Sequence, residues 1–159
     1  FNNHCDRVRM ANLAQAVNVL QALILTEGER MVLTPTYHIF DLYKNHQGAN
    51  LCYSSIENIR QDGYDLPVIS QRVSINDKNE MTLTLSKCSL SESVSVDTDI
   101  CGFEFSGTKA RILTGKPDAH NTFDEPDAVK ICDFSEVIKT DRGIRFTLPP
   151  CSAVEIILS

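Results

Sequence analysis

The feature that most constrains this fold is a series of short segments, from residue 68 onward, in which apolar and polar residues alternate. The clearest comprises residues 81–85, where a methionine and two leucines alternate with two threonines. Successive side chains of a β-strand point to opposite faces of a sheet, so this alternation predicts a strand with one buried face. Residues 69–75 precede it with a similar pattern, and residues 76–79 have the composition of a turn. Residues 68–86 are therefore predicted to form a β-hairpin.

Later segments repeat this alternation and are separated by turns or loops. They are residues 94–96, 103–105, 110–113, 137–138, 144–148 and 154–158. Gly143 can adopt the positive φ that closes a hairpin between two of them, and the prolines in residues 115–126 predict a long loop. Eight or nine short strands joined in this way predict a β-sandwich.

A helix is predicted for residues 35–46. Thr34 can cap the free N–H groups at the start of a helix, and Pro35 would occupy the first helical position, where no hydrogen bond is lost. Aromatic residues recur at every third position from Tyr37, which gives this helix an apolar face.

Residues 5–25 carry two conflicting patterns. Leu13, Val17 and Leu20 fall at helical spacing, which predicts an amphipathic helix. Residues 8–14 also fit an alternation between two faces, which predicts a short strand. Periodicity favours the helix and does not exclude the strand.

A polar row lies inside this apolar segment. Asn12, Gln15 and Asn18 recur at three-residue intervals. Each buried amide without a hydrogen-bond partner costs about 1–3 kcal/mol, so the row is either satisfied by neighbouring groups or directed toward a polar ligand. The pattern alone favours satisfied core amides.

Composition excludes several classes of partner. The chain has 15 Lys and Arg against 21 Asp and Glu, a net charge of −6 and no basic cluster, so nucleic acid is not an expected partner. The longest apolar runs, such as residues 22–25, are far shorter than the ~20 residues that span a bilayer, so no membrane partner is predicted. A soluble globular chain is expected.

The cysteines and histidines do not predict a metal site. Six cysteines are spread through the chain without a Cys-x-x-Cys pair, which argues against a zinc ribbon. An even number permits a disulfide framework, but a chain of this length can bury a core without cross-links, which favours reduced thiols. His4, Cys5 and Asp6 are adjacent and would diverge in a regular element. His38 and His46 are two helical turns apart and are interpreted as surface or capping residues.

Three stretches, in order along the chain, resemble one known family. They are residues 6–20 with the motif Ala14-Gln15-x-Val17-Asn18, residues 34–44, and residues 112–129. Together they resemble the C-terminal part of an α-L-arabinofuranosidase of glycoside hydrolase family 51. The resemblance extends over nearly the whole chain. It is strongest in residues 4–46 and 112–159, and weakest in the serine-rich middle.

The resemblance implies a mainly β fold in two parts. Residues 1–47 would be a remnant of a catalytic (β/α)8 barrel, comprising its last strand and last helix, and residues 48–159 a C-terminal jelly-roll-type β-sandwich. For residues 8–14 the resemblance favours the strand, with Gln15 at its C-terminal end, where such barrels place their active sites. The chain begins with neither a methionine nor a signal peptide, so it is expected to be cut from a longer protein.

The resemblance also implies an activity for the parent protein. The family hydrolyses terminal non-reducing α-L-arabinofuranosyl residues of arabinan, arabinoxylan and related oligosaccharides, with retention of configuration by two glutamates. Both glutamates would lie upstream of Phe1, and no glutamate of this chain sits in a matching motif. The chain alone is therefore expected to be inactive and to hold no catalytic residue, no metal and no cofactor. The resemblance assigns Gln15 to substrate binding, through a hydrogen bond to a sugar hydroxyl, and Asn18 is interpreted as structural.

Assembly and location follow from the same resemblance. In the family, a segment from before the barrel adds a strand to the sandwich, so its absence predicts association into a homo-oligomer such as a dimer, or else an exposed, poorly ordered sheet edge. Residues 1–30, without barrel partners, are expected to be helical, swapped between chains or rearranged. The lack of an Asn-x-Ser/Thr acceptor favours the cytoplasm over the periplasm or secretion.

Two other functions stay open. An independent carbohydrate-binding module is disfavoured, because such sandwiches usually present Trp or Tyr platforms to sugars. This chain has no Trp, and its four Tyr lie in residues 37–64. A purely structural or assembly role for the sandwich is compatible with the enzyme-derived interpretation. The loop at residues 119–123 is interpreted as structural, with an interface to the barrel or to a second subunit as the alternative.

Overall fold

The computed structural model describes residues 1–13, 15–57 and 67–159. Short 3-10 turns occupy Asn2–His4 and Lys44–His46. Ala14 of the predicted strand and residues 58–66 of the predicted sandwich, including Tyr64, lie outside the described residues. The regular elements in the described ranges are one helix, α1 (Pro35–Tyr43), and the strands β1 (Ile24–Glu27), β2 (Arg30–Leu33), β3 (Asn50–Leu51), β4 (Ile69–Ile75), β5 (Met81–Lys87), β6 (Val94–Asp97), β7 (Thr108–Thr114), β8 (Cys132–Asp133), β9 (Ile138–Lys139), β10 (Ile144–Leu148) and β11 (Ser152–Leu158).

The strands form antiparallel sheets, two of which pack face to face. One is six-stranded in the order β3-β4-β5-β11-β7-β8, and the other is three-stranded in the order β6-β10-β9. A separate hairpin consists of β1 and β2. Strands β4 and β5 form the hairpin predicted for residues 68–86, and β9 and β10 form the one predicted around Gly143. Gly143 does not have the positive φ expected of it; its N–H donates to Thr140 Oγ1 at 3.1 Å. The mainly β prediction is thus confirmed.

Alternation along the strands builds the core between the two packed sheets. Val154, Ile156 and Leu158 of β11 are fully buried, and so are Ile144 and Leu148 of β10 on the opposite sheet. Each such side chain contributes about 1.5–3 kcal/mol by leaving water. The period of two therefore places apolar residues on the facing sides of the sheets.

The outer face of the six-stranded sheet carries a row of polar side chains. The strand register aligns Arg72, Thr84, Glu155, Arg111 and Asp133 across five neighbouring strands. Helix α1 and the turn that follows it contact this face, and the first three residues of the row are buried. Alternate polar positions in these strands therefore face a packed layer rather than solvent.

Helix α1 begins as the sequence predicts. Thr34 Oγ1 accepts a hydrogen bond from the backbone N–H of Tyr37 at 3.4 Å, and Pro35 is the first helical residue. The chain then tightens into the 3-10 turn Lys44–His46, so the α-helix is shorter than predicted. Leu42 is fully buried in a small apolar cluster against the sheet.

The described part of residues 5–25 forms neither the predicted helix nor the predicted strand. Residues 8–13 have no regular secondary structure, and the strand that starts at Ile24 belongs to the β1–β2 hairpin. Met10 is 76% exposed and Leu20 is 93% exposed. Because an isolated helix of this length is marginal in water, helical spacing stabilises a helix only when its apolar face packs on a partner. The remnant of a barrel is accordingly not confirmed.

Residues 103–105, predicted as a strand, lie in a loop. Phe103 and Phe105 are partly buried against the core. The chain just after them is held by the N–H groups of Ser106 and Gly107, which both donate to the carbonyl of Ser159 at 2.8 Å. Here the alternation reflects burial of two aromatic rings, without the ladder of hydrogen bonds that defines a strand.

Candidate substrate-binding segment

Gln15, predicted to bind substrate, lies on the surface in a tightly turned segment. Gln15, Asn18 and Gln21 have φ angles of 45°, 55° and 61°, in the left-handed region that is uncommon for residues other than glycine. These side chains are exposed, and so is that of Asn12. The polar row is therefore a surface feature, and its interpretation as a set of buried core amides is wrong.

The backbone of this segment is attached to the first strand of the hairpin. The N–H groups of Leu23 and Ile24 donate to the carbonyl of Ala16 at 3.0 and 3.1 Å, and the N–H of Asn18 donates to the carbonyl of Ile24 at 3.1 Å. Val17 lies beside Ile24 in a parallel bridge. The position of the segment therefore depends on that of β1.

The side chain of Asn18 makes a second attachment to the same strand. Its Oδ1 accepts a hydrogen bond from the backbone N–H of Thr26 at 2.7 Å, and its Nδ2 donates to Thr26 Oγ1 at 2.9 Å. This pairing needs one donor and one acceptor on a short side chain, which a primary amide supplies. The amide sits close after Gln15 in sequence and holds the end of the segment.

Asn121 attaches the second strand of the hairpin to the sandwich. Its buried amide donates to the carbonyls of Leu33 and Val129, both at 2.8 Å, and accepts from the N–H of Val129 at 2.7 Å. The loop at residues 119–123, interpreted as structural from the sequence, thus has a structural contact in which one residue bridges two parts of the chain.

Two further contacts hold the hairpin at its ends. Thr34 Oγ1 donates to the carbonyl of Ala22 at 2.6 Å. At the turn of the hairpin, the Arg30 guanidinium lies 4.8 Å from the centre of the Phe123 ring and 3.8 Å from Asp124 Oδ1. An exposed cation–π contact contributes about 0.5–1 kcal/mol, so the buried Asn121 is the stronger of the attachments to the loop.

An ion pair joins helix α1 to the sheet beneath it. Glu155 is 1% exposed and accepts hydrogen bonds from Arg111 Nε at 2.9 Å, Arg111 Nη2 at 2.6 Å and Asn45 Nδ2 at 2.7 Å. Arg111 Nη1 also donates to Asp41 Oδ2 at 2.8 Å, and Lys44 Nζ donates to Asp41 Oδ1 at 2.6 Å. These groups pair with one another, which makes the cluster a structural link.

The pKa values in this cluster favour the charged forms. Burial acts to lower the pKa of Arg111, but the hydrogen bonds and charges of Glu155 and Asp41 outweigh it and raise that pKa. Burial acts to raise the pKa of Asp41, but Lys44 and Arg111 together lower it. The link therefore persists at neutral pH.

His46 is a buried residue that hydrogen-bonds two strands of the sheet, and the interpretation of it as a surface or capping residue is wrong. Its Nδ1 lies 2.6 Å from Ser74 Oγ and its Nε2 lies 2.8 Å from Thr84 Oγ1. Burial, with a smaller contribution from the Arg72 guanidinium, lowers the pKa of His46 to about 4. The ring is neutral at pH 7 and bridges two hydroxyl groups, which can each donate or accept.

The described part of the chain contains no group of three or more His, Cys, Asp and Glu side chains placed to hold a metal ion. His4, Cys5 and Asp6 are exposed, and all six cysteines are free thiols. Among the same residues, no helix is long and apolar enough to cross a membrane.

Sequence analysis missed Asn121, Arg111 and Glu155. Glu155 is the one charged residue of β11, which is otherwise apolar or small. A charge inside such a strand signals a buried pair, because an unpaired carboxylate would be costly there. The partner of that pair lies far away in sequence, so only the strand register identifies Arg111.

A cavity of about 940 Å³ lies between the two packed sheets. Its walls include apolar side chains of β4, β5 and β6, together with residues 52–57 and 98–103. Leu83 and Leu85 of β5, which line it, are 7% and 4% exposed, so these walls belong to the core.

The same fold occurs in arabinofuranosidases, which are glycoside hydrolases, and this is the class of protein that the comparison indicates. A crystal structure of the family 51 arabinofuranosidase from Xanthomonas axonopodis pv. citri matches 100% of this chain, at 33% identity and a TM-score of 0.92. Residues 1–152 also match the family described as the α-L-arabinofuranosidase C-terminal domain. The chain belongs to this family.

Two other relatives agree with this assignment. An intracellular exo-α-L-arabinofuranosidase of Bacteroides ovatus is 36% identical over 164 residues, which cover 98% of this chain. A thermostable family 51 α-L-arabinofuranosidase from Thermotoga petrophila RKU-1 is 25% identical over 99% of this chain, with a TM-score of 0.84. The chain spans 31% of the Bacteroides protein, 33% of the Xanthomonas chain and 35% of the Thermotoga chain, which is about a third of each.

Proposed function

We propose that this chain is the C-terminal part of a retaining α-L-arabinofuranosidase, which removes terminal non-reducing arabinofuranosyl residues from arabinan, arabinoxylan and related oligosaccharides. The match of residues 1–152 to the family carries the proposal, and the names of the relatives support it. Retention requires two carboxyl groups about 5 Å apart. In this proposal both belong to the part of the protein that corresponds to the other two thirds of the relatives.

The proposal divides the chain into two parts. Residues 1–47 would complete an upstream (β/α)8 barrel as its last strand and helix, and residues 48–159 would form the jelly-roll-type sandwich. Large apolar side chains before β1 support this division, because they are exposed in the chain alone and a barrel would bury them. They are Met10, Leu13, Val17 and Leu20.

In this proposal Gln15 binds the arabinofuranosyl group. Its side chain is exposed, and an amide can both donate to and accept from sugar hydroxyls. It also brings no charge that would change the pKa values of a nearby pair of glutamates.

The Gln15→Ala variant of the full-length protein tests this role. On an aryl α-L-arabinofuranoside we expect kcat/KM to fall about 10- to 100-fold, because one or two hydrogen bonds to the substrate are lost. Gln21→Ala is the matched control, since Gln21 is also exposed and left-handed, with a φ of 61°. Unchanged kcat/KM in Gln15→Ala would contradict the role in substrate binding, whereas Gln21→Ala should match the unmodified protein.

Two other results would overturn the wider proposal. One is inversion at the anomeric carbon, read by NMR of the first product formed by the full-length protein. The other is hydrolysis of arabinofuranosides by residues 1–159 alone. Tight binding of arabino-oligosaccharides to that isolated chain would instead favour an independent carbohydrate-binding module.

The proposal includes a cytoplasmic location and a homo-oligomeric assembly. The relative from Bacteroides is named as intracellular, and free thiols such as the six found here are usual in reducing compartments. Association is proposed because an edge strand can pair with a second chain, and β6 ends its sheet among the described residues. Cell fractionation and light scattering of the full-length protein test the two statements.

A further inference from the structure

We propose that Asn18 is a positioning residue for Gln15, which it holds in place by locking the segment that carries it onto strand β1. This inference rests on the proposed role of Gln15 in substrate binding. It differs from the interpretation of Asn18 as merely structural, because it ties the hydrogen bonds of this amide to turnover.

Asn18 makes three hydrogen bonds to strand β1, which we call the lock. The Asn18 N–H donates to the carbonyl of Ile24 at 3.1 Å, Oδ1 accepts from the Thr26 N–H at 2.7 Å and Nδ2 donates to Thr26 Oγ1 at 2.9 Å. They span two positions of β1 and fix both the backbone and the side chain of Asn18. The segment from Gln15 to Asn18 therefore ends at a fixed point.

The other end of the segment is fixed to the same strand. The carbonyl of Ala16, next to Gln15, accepts hydrogen bonds from Leu23 and Ile24 at 3.0 and 3.1 Å. Gln15 and Asn18 both have left-handed φ angles, of 45° and 55°. Asparagine adopts this conformation more often than most residues, whereas glutamine depends on its surroundings to hold it. If the amide of Asn18 is lost, this turn can relax and carry Gln15 away from its position.

The strand that receives the lock is itself well anchored. The hairpin is bound to the sandwich by the buried amide of Asn121 on the carbonyl of Leu33, at 2.8 Å, and its two ends are joined by Thr34 Oγ1 on the carbonyl of Ala22, at 2.6 Å. The hydrogen bonds of Asn18 therefore hold the segment that carries Gln15 at a fixed position relative to the sandwich. A displacement of about 1 Å in a substrate-binding group is enough to lower the rate substantially.

The hydrogen-bonding groups of Asn18 and Thr26 predict which substitutions at these two positions are tolerated. Asn18→Asp keeps the acceptor for the Thr26 N–H and can still accept from the Thr26 hydroxyl, so it should preserve most of the lock. Asn18→Ala removes both side-chain bonds. Thr26→Val removes the hydroxyl alone, and Thr26→Ser retains it and should rescue the function lost in Thr26→Val.

A double-mutant cycle in the full-length protein tests the inference. In the unmodified background Asn18→Ala should lower kcat/KM about 10-fold, whereas in the Gln15→Ala background it should cause no further loss, because the group that it positions is absent. Thermal unfolding of each variant establishes that the fold is retained. If Asn18→Ala and Gln15→Ala act additively on kcat/KM, or if Asn18→Ala leaves kcat/KM unchanged, the inference is wrong.

Asn76 supplies the matched control for loss of an amide. Its Oδ1 accepts from the N–H groups of Lys78 and Glu80 at 2.9 and 3.0 Å and so closes the turn between β4 and β5. Asn76→Ala should lower the unfolding temperature and leave kcat/KM unchanged. If it lowers kcat/KM as much as Asn18→Ala does, the effect is one of stability and the inference fails.

The same experiment separates the two proposals. An unchanged kcat/KM in Gln15→Ala overturns the role of Gln15 and the positioning role of Asn18 with it. A loss in Gln15→Ala with additive effects of Asn18→Ala overturns the positioning role alone.

Discussion

Buried polar residues determine how the layer around helix α1 is held on the sheet. His46 uses both ring nitrogens, on Ser74 and Thr84, and is 7% exposed. The Arg72 guanidinium lies under the same layer, and its Nε has no hydrogen-bond partner among the described residues. A second positive charge beside it would be unfavourable, so this environment selects the neutral form of the histidine.

Acid should destabilise the protein through His46. The pKa of His46 is about 4 in the folded chain, against an ordinary value of 6.5 in the unfolded chain. Protons therefore bind the unfolded chain first, and the stability present above pH 6.5 is lost as the pH falls toward 4. The loss from this residue amounts to about 3 kcal/mol. Urea unfolding at several pH values between 7 and 4 measures it.

Two histidine variants identify the source of that pH dependence. His46→Gln should flatten the dependence between pH 6.5 and 4, since no titrating group is left at the site. His120→Gln, at an exposed position, should retain it. An equally steep dependence in His46→Gln would show that a different group is responsible.

Among the elements, α1 is attached to the six-stranded sheet by two kinds of contact. One is an apolar cluster on the outer face of the sheet, and the other is the pairing of Arg111 with Glu155 and Asp41. The ion pair adds polar contacts between the helix and two strands of the sheet, since Asp41 lies on α1, Arg111 on β7 and Glu155 on β11. The members of the apolar cluster are Leu42, Leu113, Val129 and Ala153.

Removing one partner of the Arg111–Glu155 ion pair should lower the free energy of unfolding more than removing both partners. Arg111→Met leaves the Glu155 carboxylate buried without its cation and should lower the free energy of unfolding by about 3–5 kcal/mol. The double variant Arg111→Met with Glu155→Leu removes both charges and should recover at least about 1 kcal/mol of that loss. Urea unfolding of the three proteins measures the difference.

The exposed pair of Arg145 and Asp97 is the control for this prediction. Its Nη2 to Oδ2 distance is 2.5 Å, and both side chains are more than half exposed. Arg145→Met should lower the free energy of unfolding by less than about 1 kcal/mol. If Arg111→Met lowers the free energy of unfolding no more than Arg145→Met does, burial does not increase the contribution of the Arg111 pair to stability.

Considered as a whole, the molecule is a sandwich with unequal sheets. Among the described residues, β6 is one of the two edge strands of the smaller sheet, and it lines the cavity of about 940 Å³. An edge strand beside an apolar opening can pair with a second chain through its backbone. We expect the association predicted from the sequence to occur at this edge.

The isolated chain should associate through this edge. Light scattering is expected to show a mass that rises with concentration. Ser95 is an exposed residue of β6. Ser95→Lys should shift the chain toward the monomer, because a lysine on an edge strand opposes pairing with the strand of a second chain. Thr147→Lys adds the same charge at an exposed position of the central strand β10 and should leave association unchanged. A monomer at all concentrations would refute the prediction.

Much of the sandwich was predictable, and the candidate segment was predictable only in part. Alternation identified the β4–β5 hairpin and the β9–β10 hairpin, and Thr34 with Pro35 marked the start of α1. The resemblance to the family singled out Gln15. The contacts of Asn18 with Thr26 were not predictable, because two exposed polar residues near each other in sequence do not reveal whether the chain turns back between them.

The sequence by itself determined the longer strands of the sandwich, the start of the helix and the family, because side-chain alternation, capping and motifs are properties of neighbouring residues. It did not predict β8, and it wrongly predicted a strand at residues 103–105. The tertiary structure decided that residues 8–13 form no regular element and that the polar row lies on the surface. It also decided that Arg72, Thr84, Glu155, Arg111 and Asp133 share one row. Those outcomes depend on contacts between residues distant in the chain, and the free energy of burial and pairing is set only when such residues meet.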